Sequence, residues 1–276
     1  MFEIFKTILI LSGLGFGLTA VLLCLKPITA KRLPAKWQYC VWIAVMLSML
    51  IPFYKFIPAR EVQRLPIITQ TVQTEQPETS GENVPAVIIE DTPIEYREVS
   101  ITPGHNIRLL DFAAYIWISG VCVFLLIVSI SYAVYLARKR RESVLLESSD
   151  TLERVKEELN IKRVIMLKTS PEVISPMLVG VFFPAIYIPC REISDERMRM
   201  IFLHELTHYK RGDLLIKWLS VFVNALHWFN PLAYLLCANI SESCEVSCDM
   251  SVTSILSDEE RKIYMKTILD LVEEKE

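Results

Sequence analysis

Only eight glycines punctuate 276 residues, and no run of lysine and arginine is long enough to track a nucleic-acid backbone, so direct nucleic-acid binding is not expected. Cysteine is absent between residues 54 and 108. The seven thiols, at 24, 40, 122, 190, 237, 244 and 248, fall in apolar blocks or in the C-terminal half, which excludes a disulfide framework and points to a reducing side. Residues 66–96 contain no lysine or arginine, and no small-residue cleavage site follows the first apolar run. The latter argues against a removable secretory signal.

What is abundant is apolar. Hydrophobic residues make up 52% of the chain and the mean hydropathy is +0.36, high for a soluble protein. The excess is concentrated in blocks. Residues 7–25 form an uncharged run long enough to cross a bilayer, residues 37–53 a shorter one with Trp37, Tyr39 and Trp42 as interfacial anchors, and residues 112–136 a third. Lys26, Lys31, Arg32 and Lys36 follow the first run, and Arg138, Lys139, Arg140 and Arg141 follow the third. Positive charge marks the cytoplasmic side. The expected topology therefore puts the N-terminus outside, residues 54–108 in an acidic, proline-bearing, largely irregular outer loop, and everything after residue 137 inside. That outer loop is also a candidate surface for an extracellular ligand or partner domain.

Chemistry enters with His204-Glu205-x-x-His208. Side chains four apart on a helix share a face, so the two imidazoles can grip one metal ion while Glu205 faces whatever the metal holds. The flanks favour a helix: Ser194 as N-cap, Asp195 and Glu196 in the first turn, then Lys210, Arg211 and a Gly212 stop. A catalytic zinc needs a third protein ligand and an open position. Downstream, Glu245 and Asp249 are again four apart and would share a face, one carboxylate for the metal and the other for the outward N–H of a ligating histidine. Cys244 and Cys248 are weaker candidates for the metal.

The order His204-Glu-Leu-Thr-His-Tyr-Lys-Arg-Gly-Asp213, then His227-Trp-Phe-Asn-Pro231, then Glu245-x-x-Cys-Asp249 resembles the bacterial integral-membrane zinc metallopeptidases of the M56 family, of the beta-lactam sensor-transducer type. That resemblance implies His204, His208 and Glu245 as zinc ligands, Glu205 as general base and Asp249 as the carboxylate behind a ligand. It further implies proteolysis of a cytoplasmic protein, such as a transcriptional repressor, in response to an antibiotic or cell-envelope signal. The sequence departs from those receptors after about residue 255. They continue into a further membrane helix and an extracellular penicillin-binding sensor, whose serine acylation motifs are not found here, so direct drug sensing is not expected of these residues.

The segment 214–237 reads as a fourth membrane helix, but a crossing there would strand Glu245 on the far side of about 30 Å of hydrocarbon from the two histidines. Asn230-Pro231 interrupts the run. Two half-length helices near 214–229 and 231–248, turning back at the proline, would return Glu245 to the histidine side. His227, inside that hairpin, is either an oxyanion stabiliser or a hydrogen-bonded core histidine. Residues 163–167 and 179–188 read as strands, with Pro184 placing the second at a sheet edge as a candidate rail for an extended substrate. A helix capped by Asp150 over 151–160 precedes them, and an amphipathic helix capped by Ser257 and carrying Ile263, Ile268 and Leu271 ends the chain.

The expected architecture is a mainly α membrane protein: residues 1–136 with three spanning helices, and 137–276 a cytoplasm-facing, gluzincin-like α+β zinc metallopeptidase domain with a membrane-associated hairpin. Its expected partners are the bilayer, a cytoplasmic protein substrate and, left open, a second copy of the chain. The rival from another class is a non-proteolytic receptor or scaffold with a closed structural zinc site.

Overall fold

A computed structural model describes residues 2–52, 106–146 and 149–273. The outer-loop expectation for 54–108 lies almost entirely outside the described residues. Eight helices and four short strands run in the order α1 (Phe2–Arg32), α2 (Ala35–Ser48), α3 (Asn106–Arg141), β1 (Val144–Leu145), α4 (Asp150–Glu158), β2 (Met166–Ser170), β3 (Met177–Val179), β4 (Ala185–Pro189), α5 (Asp195–Arg211), α6 (Asp213–Leu226), α7 (Pro231–Thr253) and α8 (Asp258–Glu273).

Among the described residues, two helices are long and apolar enough to cross a membrane, over Phe2–Thr29 and Asp111–Arg141. The second expected span differs. With 14 residues, α2 rises about 21 Å, short of the roughly 30 Å of a hydrocarbon core. It is a packed helix: Trp42, Val45 and Met46 are buried against Val223 of α6 and Ala233, Leu236, Ile240 and Cys244 of α7. Tyr39, expected as an interfacial anchor, is buried with them.

The hairpin at Asn230-Pro231 forms as α6 and α7. Pro231 takes the first helical position, where its missing N–H costs nothing, and Asn230 caps α7 by accepting from Leu232 N at 3.0 Å. Hydrogen bonds from three helices secure the turn. Asn230 Nδ2 donates to Ser12 Oγ of α1 at 2.9 Å, His227 Nε2 lies 3.2 Å from the Met49 carbonyl just past α2, and Trp117 Nε1 of α3 donates to the Leu226 carbonyl at 2.8 Å. In apolar surroundings each such group would otherwise be a costly orphan, so these bonds favour one position of the turn. His227 is fully buried there, which is the core role rather than the oxyanion one. Gly120 lets α3 approach: a Cβ at that position would overlap the Trp228 indole.

The sheet has the order β1-β2-β4-β3. β4 pairs in parallel with β2 and antiparallel with β3, Leu178 standing opposite Ile186. The sequence reading of 179–188 as one edge strand is therefore corrected. Pro184 precedes β4, which is central, and the edge belongs to the three-residue β3. α4 begins at Asp150 with Ser149, not Asp150, in the cap position. The second core joins Leu152 and Val155 of α4, Ile186 and Ile188 of β4, Phe202, Leu203 and Leu206 of α5, Cys248 and Val252 of α7, and Tyr264 of α8. α7 thus has its first half in the helical bundle and its second half in the α+β unit. A Ser257–Glu260 capping box starts α8: Ser257 N donates to Glu260 Oε2 at 2.9 Å.

Replacing Asn230 by Ala removes both the α7 cap and the bond to Ser12, and is expected to destabilise the fold by about 1–3 kcal/mol. A thermal unfolding midpoint in detergent that matches the unmodified chain would contradict this account of the turn.

Candidate metal centre

α5 carries both histidines because its ends are fixed locally. Ser194 precedes its first residue, and Gly212 closes it in the left-handed conformation at φ 72°, which a glycine adopts without strain. Leu203 and Leu206 are fully buried, which turns His204 and His208 toward α7. There Glu245 arrives from the far side of the hairpin.

Three atoms converge. His208 Nε2 lies 3.2 Å from His204 Nε2 and 3.2 Å from Glu245 Oε2, and His204 Nε2 lies 3.6 Å from Glu245 Oε2. Tetrahedral zinc with nitrogen and oxygen ligands at about 2.0–2.1 Å separates ligand pairs by about 3.3–3.4 Å. The donor set therefore fits a zinc ion in size and in kind.

Each candidate ligand has a partner on its outward side. His208 Nδ1 is 2.7 Å from Asp213 Oδ2, and Asp213 is in turn held by Tyr39 Oη of α2 at 3.0 Å and Arg211 Nε at 3.2 Å. His204 Nδ1 is 2.8 Å from Tyr264 Oη and 3.3 Å from Asp249 Oδ1, and Tyr264 donates to Asp249 at 2.6 Å. Glu245 Oε1 accepts from Lys217 Nζ at 3.1 Å, which leaves Oε2 for the shared centre. Carboxylates on both Nδ1 atoms place the protons there, so the two Nε2 lone pairs face each other. Only a shared cation or a proton relieves that opposition. Burial pulls the His204 imidazole down, but its bonds to Asp249 and Glu245 outweigh burial and raise its pKa to about 10. His208 is likewise raised, with Asp213 the main cause against burial. A field that holds a proton so firmly also favours a metal cation.

Glu205 stands beside this centre and is excluded from it. Its Oε2 accepts from the Leu178 N–H of β3 at 2.8 Å. Burial raises its carboxyl above the ordinary 4.5, and His204, His208 and Leu178 pull it back only in part. All these groups line a cleft of about 570 Å³, walled on one side by Met177 and Leu178 and on the other by Ile268, Leu271 and Val272 of α8.

The two cysteines divide. Cys244 lies 3.9 Å from His208 Nδ1, on the outward nitrogen. Cys248 has its thiol within 4.8 Å of ligand atoms of both histidines and donates to the His204 carbonyl at 3.6 Å. Asp213 and Tyr264 escaped the sequence reading as partners. Asp213 stands five residues beyond His208 across a helix break, and Tyr264 comes from a separate helix, so neither shares a helical spacing with its histidine.

The family model described as BlaR1 peptidase M56 matches residues 8–276. Among curated proteins, the chain is 25% identical over 263 residues to Regulatory protein BlaR1 of Bacillus licheniformis, which covers 90% of this chain and 42% of that protein. It is 26% identical over 242 residues to the Methicillin resistance mecR1 protein of Staphylococcus aureus, 83% of this chain and 40% of that one. It is 24% identical over 243 residues to Regulatory protein BlaR1 of Staphylococcus aureus. The chain spans about two fifths of the length of these relatives.

Asp213→Asn weakens the acceptor behind His208 and is expected to lower zinc affinity about 10–100-fold, with Tyr264→Phe having a smaller effect in the same direction. Competition against a chromophoric chelator measures both. Unchanged affinity in Asp213→Asn would remove Asp213 from the support of the site.

Proposed function

The chain belongs to the M56 peptidases, a family of metallopeptidases that are generally zinc-dependent, and on that premise we propose that it is a membrane-embedded zinc endopeptidase cleaving a cytoplasmic protein. The observation that carries this reading is the triangle of His204 Nε2, His208 Nε2 and Glu245 Oε2, with sides of 3.2, 3.2 and 3.6 Å, beside a carboxylate that takes no part in it. A purely structural ion would have no use for Glu205.

Bound at His204, His208 and Glu245, zinc would supply Lewis acidity and a water of pKa lowered toward about 7. Glu205 accepts a proton from the attacking water and passes it to the leaving amine nitrogen. Its raised pKa suits that exchange, since a base that is too acidic cannot take the proton. The Leu178 N–H holds the Glu205 carboxylate in line. Among the described residues β3 has no strand partner on its other side, so an extended substrate can add to that edge and be held by backbone hydrogen bonds that do not depend on its sequence. Lys217 steadies the distal oxygen of Glu245, and Asp249 with Tyr264 fixes His204. Ile268, Leu271 and Val272 wall the cleft with apolar surface that limits water.

The relatives are named as regulatory and methicillin-resistance proteins. By that kinship the substrate is a cytoplasmic protein such as a transcriptional repressor, and the trigger is an antibiotic or a cell-envelope signal. On this reading the chain is a multi-pass bacterial membrane protein with the site on the cytoplasmic side. Lys31 and Arg32 close α1 and Arg138–Arg141 close α3, and near those ends the spans touch elements of the site, Lys26 pairing with Glu242 of α7 at 2.7 Å and Tyr135 donating to Met177 of β3 at 2.9 Å. Residues 1–136 then form the membrane region, joined in the bilayer by the α6–α7 hairpin, and 137–276 the peptidase unit.

The alternative of a non-proteolytic receptor needs a fourth protein ligand to close the site, and Cys248 is the thiol within reach. X-ray absorption counting of sulfur at the zinc separates the two: none favours the enzyme, one favours the receptor.

Glu205→Gln is expected to retain one zinc per chain while cleavage of a candidate repressor in membranes falls about 10²–10⁴-fold. Full cleavage by that variant would remove Glu205 as the base.

A further inference from the structure

The turn between β3 and β4 presents two phenylalanines to the outside, Phe182 76% and Phe183 80% exposed, with Val164 at 79%. Gly180 at φ 91° forms this turn, and the Arg163 guanidinium donates to the Phe182 carbonyl. The aromatics are therefore held outward by the turn itself and form no part of the core beneath.

Their level in the fold decides what they face. Gly180 and Val181 line a cavity of about 460 Å³ together with Lys162, Arg163, Lys210 and Leu215, and no acidic side chain lines it. That cavity adjoins the junction of α5 and α6, where the chain enters the hairpin that packs beside α1 and α3. Two contacts with α3 fix the height. Trp218 of α6 stands edge-on to Tyr132 at 4.9 Å, and Tyr135 Oη donates to Met177 Sδ of β3 at 2.9 Å. Both tyrosines lie within the last turns of α3 before Arg138–Arg141. Leu215, Trp218 and Phe222, at helical spacing on α6, are 57%, 37% and 45% exposed, and Ile127, Ile130 and Val134 on α3 are exposed as well. Exposed apolar side chains are thus present on the spanning helix, on α6 and at the turn, and Lys162, Arg163 and Lys210 share the cavity beside the turn with Leu215 of α6.

We propose that the β3–β4 turn is a membrane-surface anchor, in which Phe182 and Phe183 enter the interfacial layer of the bilayer crossed by α1 and α3 while Lys162, Arg163 and Lys210 bind the phosphates of lipid headgroups. Aromatic rings with an apolar body suit the headgroup boundary, and basic side chains beside them meet its negative surface. The anchor would fix β3, the strand whose Leu178 holds Glu205, from the membrane side. This inference rests on the membrane placement given under Proposed function.

The test uses the full chain in nanodiscs, with the exposed Cys24, Cys40, Cys122 and Cys190 changed to Ala and one fluorophore attached at Phe182→Cys, Ile127→Cys or Lys266→Cys in turn. Nitroxide lipids labelled near the headgroup or deep in the acyl chain serve as quenchers. The Phe182 position is expected to be quenched more by the shallow label, the Ile127 position more by the deep one, and the Lys266 position by neither. Quenching at Ile127 with none at Phe182 overturns the anchor and leaves the membrane placement standing; no quenching at Ile127 overturns the placement itself. A label at Phe183→Cys repeats the measurement where Phe182→Cys does not fold. Lys162→Gln with Lys210→Gln is expected to reduce shallow quenching at Phe182 in anionic lipid, and unchanged quenching overturns the headgroup contact.

Discussion

Two imidazole lone pairs and a carboxylate oxygen pointed at one spot repel each other unless something positive lies between them. That opposition, with sides of 3.2, 3.2 and 3.6 Å, is the arrangement the rest of the fold holds in place. His204 and His208 share one helix and come together through helical spacing alone. Glu245 stands 37 residues beyond His208, and it reaches the site because the chain descends along α6, turns at Asn230-Pro231 and returns along α7.

The turn is therefore structural support for the centre, though it lies a helix length away. Asn230, His227 Nε2 and the Leu226 carbonyl are paired with α1, with the end of α2 and with α3, and those pairings are worth most where water is absent. α7 then runs from the helical bundle into the α+β core, contributing Ala233 and Leu236 to the first and Cys248 and Val252 to the second. A rigid helix shared by two cores transmits the position of one to the other. The same link appears in hydrogen bonds: Tyr39 of α2 holds Asp213, and Asp213 holds His208.

The edge of the cleft depends on a strand of three residues. β3 is too short for an alternating pattern to declare itself, and its residues 177 and 178 fell before the strand read over 179–188. Pairing with β4 makes it a strand, since Leu178 opposite Ile186 has meaning only once the partner is in place. The length of α2 was also illegible. An apolar run of 37–53 serves equally for a short span or a buried helix; in the structure its helix is 14 residues long, with Trp42 and Met46 buried against α6 and α7.

By itself the sequence determined what is local or follows from a spacing: the α5 helix between Ser194 and Gly212, the shared face of His204 and His208, the break at Asn230-Pro231, the capping box of α8, and the two long apolar helices. These follow from backbone geometry and hydropathy within one or two turns, so no distant residue is needed to read them. Tertiary structure alone decided which groups stand behind the candidate ligands. Asp213 meets His208, Tyr264 meets His204, Lys217 meets Glu245, and Leu178 meets Glu205 across breaks or between separate elements. No periodicity links such pairs, because hydrogen bonding between elements depends on how their faces pack, and packing is a property of the whole chain.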